Sequence, residues 1–149
     1  MALDRAWVRR PTHVVRLSAE EERIWASIRP SLNGQARFCP PRVRDIAHTT
    51  GIAEISLRRL FKLAARRGDV DEIAHDHFFL RSATGDLATT ARELAGASEQ
   101  GKFNVIAFRD RIGIGRKVAI QILEYFDKQG FTMRRGDWRS INPHKAGLL

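Results

Sequence analysis

The segment Gly113-Ile114-Gly115-Arg116-Lys117 sets two glycines and two cations at the point where apolar residues begin to recur at helical spacing. A helix start leaves backbone N–H groups without intrahelical partners and carries the positive end of the helix dipole, so such a turn suits a phosphate. Arg109 and Arg111 lie just upstream, and Arg134, Arg135 and Arg139 charge a hairpin-like segment downstream. Gln121 falls one turn into the same helix, where its amide either reads a base edge or faces water. Trp138 offers a ring for stacking on an unpaired base, or a cover for the core. Each cation taken alone reads equally well as solvated surface. Their grouping at a helix end, a helix start and a hairpin points to nucleic-acid contact.

Signals of catalysis are weaker. Gly113, Gly115 and Lys117 echo the spacing of a phosphate loop, but no strand precedes them and the Gly-Lys-Ser/Thr ending is missing. His75 and His77 have strand-like metal spacing, yet Asp76 marks a turn between them and no third ligand is evident; His13, His48 and His144 are scattered. Asp71 and Glu72 read as surface carboxylates. The expectation is no catalytic residue, no metal and no cofactor. Cys39 is the only cysteine, which excludes an internal disulfide and a thiolate metal cluster.

The elements that must position the cations follow from periodicity and caps. Ser18 and Glu21 form a capping box, behind which Ile24, Trp25, Ile28 and Leu32 share a face until Pro30 interferes. A helix over 42–49 ends at Gly51, another over 54–67 ends at Gly68, and strands are predicted at 70–74 and 78–80. The order then repeats, with a helix through Leu87, Ala91, Leu94 and Ala95, helices over 105–112 and 116–129, and strands at 131–135 and 139–141 around Gly136-Asp137. The fold class predicted is mostly α with small β-hairpin wings (α+β), as two tandem winged helix-turn-helix domains over 18–82 and 83–149. A short linker joins them near 82–86. Residues 1–17, with an extended stretch at 13–17, read as an extension from a preceding domain.

Lys and Arg number 26 against 17 Asp and Glu, a formal charge of +9, and the hydrophobic fraction of 43% is enough for packed cores. The arginine-rich surplus favours phosphates, with an anionic membrane surface as the rival. No apolar run has the length of a spanning helix, and Asp4, Arg5, Arg9 and Arg10 break any signal peptide, so a soluble, cytoplasmic monomer is expected.

The run 103–139 resembles the last winged helix of bacterial selenocysteine-specific elongation factors. Its match includes Phe108-Arg109-Asp110-Arg111, the 113–117 turn, the 119–124 helix and the Gly130-Phe131-Thr132 and Arg135-Gly136-Asp137 triplets. The first half is similar more loosely, through Leu17-Ser18, 38–41, 43–47 and Phe78-Phe79-Leu80. The resemblance implies binding of the selenocysteine-insertion hairpin of mRNA for recoding of UGA. The full-length factor would be a GTPase that also engages GTP, selenocysteyl-tRNA and the ribosome. It carries RNA binding to Arg109, Arg111, Arg116, Lys117 and Gln121; Arg134, Arg135 and Arg139 are added by charge. The alternatives are a tandem winged-helix DNA-binding regulator and a protein-interaction spacer. In the first half, Arg58, Lys62 and Arg66 form an analogous, auxiliary face.

Overall fold

The Ser18 hydroxyl accepts from the N–H of Glu21 at 3.1 Å while the Glu21 carboxylate accepts from that of Ser18 at 2.8 Å, so α1 (Ala19–Ile28) begins at its capping box. Pro30 ends it, and two 3-10 turns, Arg29–Leu32 and Gly34–Ala36, lead into α2 (Val43–Thr50). Gly51 and Gly68, both left-handed, close α2 and α3 (Glu54–Arg67). These belong to a computed structural model that describes residues 15–145. Most of the expected 1–17 extension lies outside the described residues, and its described part, 15–17, forms no strand.

A hairpin of β1 (Val70–Ala74) and β2 (His77–Leu80) follows, turning at Asp76, whose φ is 56°. Next come α4 (Arg81–Ala97), β3 (Lys102–Phe103), α5 (Val105–Ile112), α6 (Arg116–Gln129), β4 (Thr132–Arg135) and β5 (Trp138–Ile141). The described residues thus form a winged-helix structure of six α-helices and two small antiparallel sheets, and the order of three helices and a hairpin recurs. Two features depart from the sequence expectation. Residues 82–86 form no loop but the first turns of α4, and β3 joins the second sheet in the order β3-β5-β4.

Side chains alternate across the first hairpin, and both of its faces are covered. Val70, Phe78 and Leu80 pack with Trp25, Leu57 and Phe61 in one core; Ile73 and Phe79 pack with Leu87, Phe108, Ile122, Phe126 and Phe131 in the other. Phe38 touches both clusters. Buried Asp71 adds a polar tie, accepting from Arg81 at 3.0 Å and pairing with Tyr125, whose hydroxyl burial and the Asp71 charge push up to about 12.

His77 is buried, with Nε2 donating to the Pro40 carbonyl at 2.6 Å and Nδ1 lacking a hydrogen-bond partner among the described residues. Burial pushes the ring below its ordinary value, the Pro40 bond opposes this, and Arg42 adds to it. The unfolded chain therefore takes up this proton first as pH falls, so the neutral ring's contribution is complete above about pH 6.5 and is lost below it. Thermal melts should show a midpoint that drops between pH 7 and 5.5, with a smaller drop for His77→Gln. Equal drops for both proteins would move the effect to another group.

Candidate nucleic-acid interface

The turn read as a phosphate seat is built by two glycines with different tasks. Gly113 ends α5 at φ 82°, donating to the Arg109 carbonyl at 2.8 Å; an added Cβ would meet nothing within 4 Å, so backbone conformation is what calls for glycine there. Gly115 is extended at the N-cap of α6 and supplies no capping side chain, so first-turn N–H groups of α6 have no side-chain cap. Asn104 starts α5 by accepting from the N–H of Ala107 at 2.9 Å. Ala119, Ile122, Leu123 and Phe126 bury the inner face of α6, leaving Arg116, Lys117, Glu124 and Lys128 exposed.

Arg116 and Arg134 line one cleft of about 380 Å³ together with Asn104, Ile106, Ile120, Trp138, the acid Asp137 and the inner Arg139. The start of α6 and the wing therefore converge. Arg135 faces a second cleft of about 260 Å³, shared with Lys102, Met133, Arg134 and Trp138. Arg116, Lys117 and Arg135 are exposed and form no ion pair with an acidic side chain among the described residues. Arg134 is exposed and braces the wing turn by donating to the Gly136 carbonyl at 3.0 Å. Trp138 and Ile106 are half-exposed, at 49% and 50%, so the apolar part of the cleft is open to a ligand. Gln121 is half-buried beside Lys117 and Glu124, and its side-chain carbonyl oxygen has no hydrogen-bond partner among the described residues.

Three predicted arginines are placed otherwise. Arg139 is 3% exposed, and its guanidinium grips Asp127 through bonds of 2.9 and 3.1 Å, so it belongs to the interior rather than to the outward charge of the wing. Arg111 reaches back to Glu93 on α4 at 2.9 Å. Arg109 is held by Asp110 at 3.0 Å, and neither lines the two clefts. Both of those acids are exposed, so these pairs reduce the cations' local charge without removing them from the surface. Sequence reasoning missed Lys102, Asn104, Ile106 and Ile120, since only the third dimension brings them beside Arg116 and the wing.

On the analogous face of the first half, two of the three cations are paired, by the first hairpin and by Glu54. Arg58 pairs with Asp76 at 2.7 Å and Glu54 at 3.0 Å, and Lys62 pairs with Glu72 at 2.7 Å; Arg66 is exposed. Hydrogen bonding to Arg58 holds the Asp76 carboxyl below the usual carboxylate range. His75 gathers with Glu72 and Asp76, while His77 points to Pro40 instead. Lysine and arginine already occupy both of those carboxylates, which is poor ground for a cation.

Comparison with known proteins places this chain in a family. A family profile described as "Elongation factor SelB, winged helix" matches residues 96–141. The selenocysteine-specific elongation factor of Escherichia coli (strain K12) is 38% identical over 131 residues, 88% of this chain and 20% of the relative. That of Haemophilus influenzae is 33% identical over 136 residues, 89% of this chain and 21% of the relative. The chain thus spans about a fifth of the length of these relatives. Among solved structures, the mRNA-binding domain of E. coli elongation factor SelB in complex with SECIS RNA superposes with a TM-score of 0.75 at 39% identity, covering 85% of this chain and 99% of that one. A bacterial selenocysteine-specific elongation factor, 21% identical with a TM-score of 0.60, shares the fold. On the strength of that identity over nearly the whole of a solved domain, this chain belongs to the selenocysteine-specific elongation factor family.

Proposed function

We propose that the chain is the mRNA-hairpin-binding C-terminal part of a selenocysteine-specific elongation factor, built as two tandem winged-helix domains over 18–82 and 83–149. It tethers the factor to a selenocysteine-insertion hairpin, while the rest of the longer protein engages GTP, selenocysteyl-tRNA and the ribosome. Within this chain the task is binding, with no catalytic step. The observation that carries the reading is the convergence of Arg116 and Arg134 on one cleft at the side-chain-uncapped start of α6, with Lys117 and Arg135 beside it in no ion pair among the described residues. The deep groove of A-form RNA admits no helix, so this surface meets phosphates across a compact stem and takes splayed loop bases in its clefts. Arg109 and Arg111 are flanking contacts in this scheme, and Gln121 faces bases.

The test is an equilibrium competition at matched salt between a selenocysteine-insertion hairpin RNA and duplex DNA of equal length. Saturable RNA binding is expected, with a logarithmic salt slope of about −3 from four phosphate contacts. Preference for the duplex would favour a DNA-binding regulator, and no saturable binding would reduce the charge to solvated surface.

A further inference from the structure

A deeply placed ion pair of the second half joins α6 to the wing. Asp127, near the end of α6, accepts from Arg139 of β5 through Nε at 3.1 Å and Nη2 at 2.9 Å, and from the Thr132 hydroxyl of β4 at 2.6 Å. The Arg139 side chain is 2% exposed and that of Asp127 23%. One carboxylate thus holds both strands of the wing. Arg139 lies on the central strand of the sheet, and its partner across the ladder is Arg134, which lines the cleft with Arg116.

We propose that Asp127 is a positioning residue for RNA binding: through Arg139 and Thr132 it sets the wing where Arg134 and Arg135 reach the RNA that Arg116 and Lys117 hold. The inference rests on the hairpin-binding reading above. It makes an acid necessary for binding a polyanion, which reverses the sign expected from charge alone. Removing a carboxylate raises the net positive charge and on Coulombic grounds tightens RNA binding. Releasing the wing forfeits two arginine contacts and weakens it.

The experiment measures affinity of the whole 149-residue chain for a selenocysteine-insertion hairpin RNA across salt, at a temperature where circular dichroism shows each variant folded. Asp127→Asn is expected to bind about tenfold more weakly, with a salt slope shallower by one to two units, the loss of two phosphate contacts. Asp127→Glu, which keeps a carboxylate for Arg139, should recover most of that loss. In an Arg134→Ala/Arg135→Ala background Asp127→Asn should cost nothing further, because the contacts it misplaces are already gone. Thr132→Val alters no charge and should move affinity the same way by about threefold, so it carries the test if Asp127→Asn does not fold. Affinity that is unchanged or tighter in the folded variants, or losses that multiply in the double background, would overturn the proposal. An unaltered chain that fails to bind the hairpin saturably would instead overturn the functional reading beneath it.

Discussion

Phe79→Ala is expected to destabilise the whole chain by about 3–5 kcal/mol, the range for truncating a buried phenylalanine, and to lower the melting midpoint by about 10 °C. Phe79 is fully buried in the second core, yet its strand neighbours Phe78 and Leu80 belong to the first. A cavity on one face of β2 therefore loosens the strand that also closes the other face. Trp25, buried against Phe61 in the first core, is the diagnostic probe. In a Trp7→Phe/Trp138→Phe background its fluorescence should report the same lowered midpoint as far-UV circular dichroism, as one cooperative transition does. If the Trp25 transition stayed where it was while the dichroism signal split in two, the shared hairpin would not couple the cores.

That sharing was only half legible in the sequence. The helices were readable because their signals are local: Ser18 with Glu21 at one start, and left-handed Gly51, Gly68, Gly113 and Gly130 at four ends. The start of α4 was not. Ser82, Ala83, Thr84 and Gly85 look like a linker by propensity, but burial of Ala83 and Thr84 makes helix the better solution, with the Thr84 hydroxyl returned to the Leu80 carbonyl at 3.3 Å. β3 spans two residues, too few to show alternation, and takes its identity from pairing with β5. The candidate site divides the same way. The glycine turn announced itself because the backbone there constrains residue type. Arg139 did not, since its partner Asp127 lies 12 residues away in another element, and a buried guanidinium and an outward one look alike in a basic hairpin.

Removing four cations of the second half that form no ion pair among the described residues should have the largest effect on binding. Arg116→Ala, Lys117→Ala, Arg134→Ala and Arg135→Ala together are expected to weaken hairpin affinity by about 100-fold at moderate salt and to remove about three units of salt slope. All four side chains are exposed and none is ion-paired to an acid among the described residues, so the melting midpoint should stay within a few degrees. The comparison that gives this meaning is Arg58→Ala/Lys62→Ala. Those cations are already matched by Asp76, Glu54 and Glu72, and their loss should leave RNA affinity within about threefold while lowering stability. Filter binding from low to moderate salt checks both. Comparable losses per charge from the two sets would mean that RNA responds to the field of the whole protein, and the cleft between α6 and its wing would lose its claim to be the docking site. A loss confined to the four cations of the second half would show that what matters is not how many cations the chain carries but which of them its own carboxylates leave unpaired.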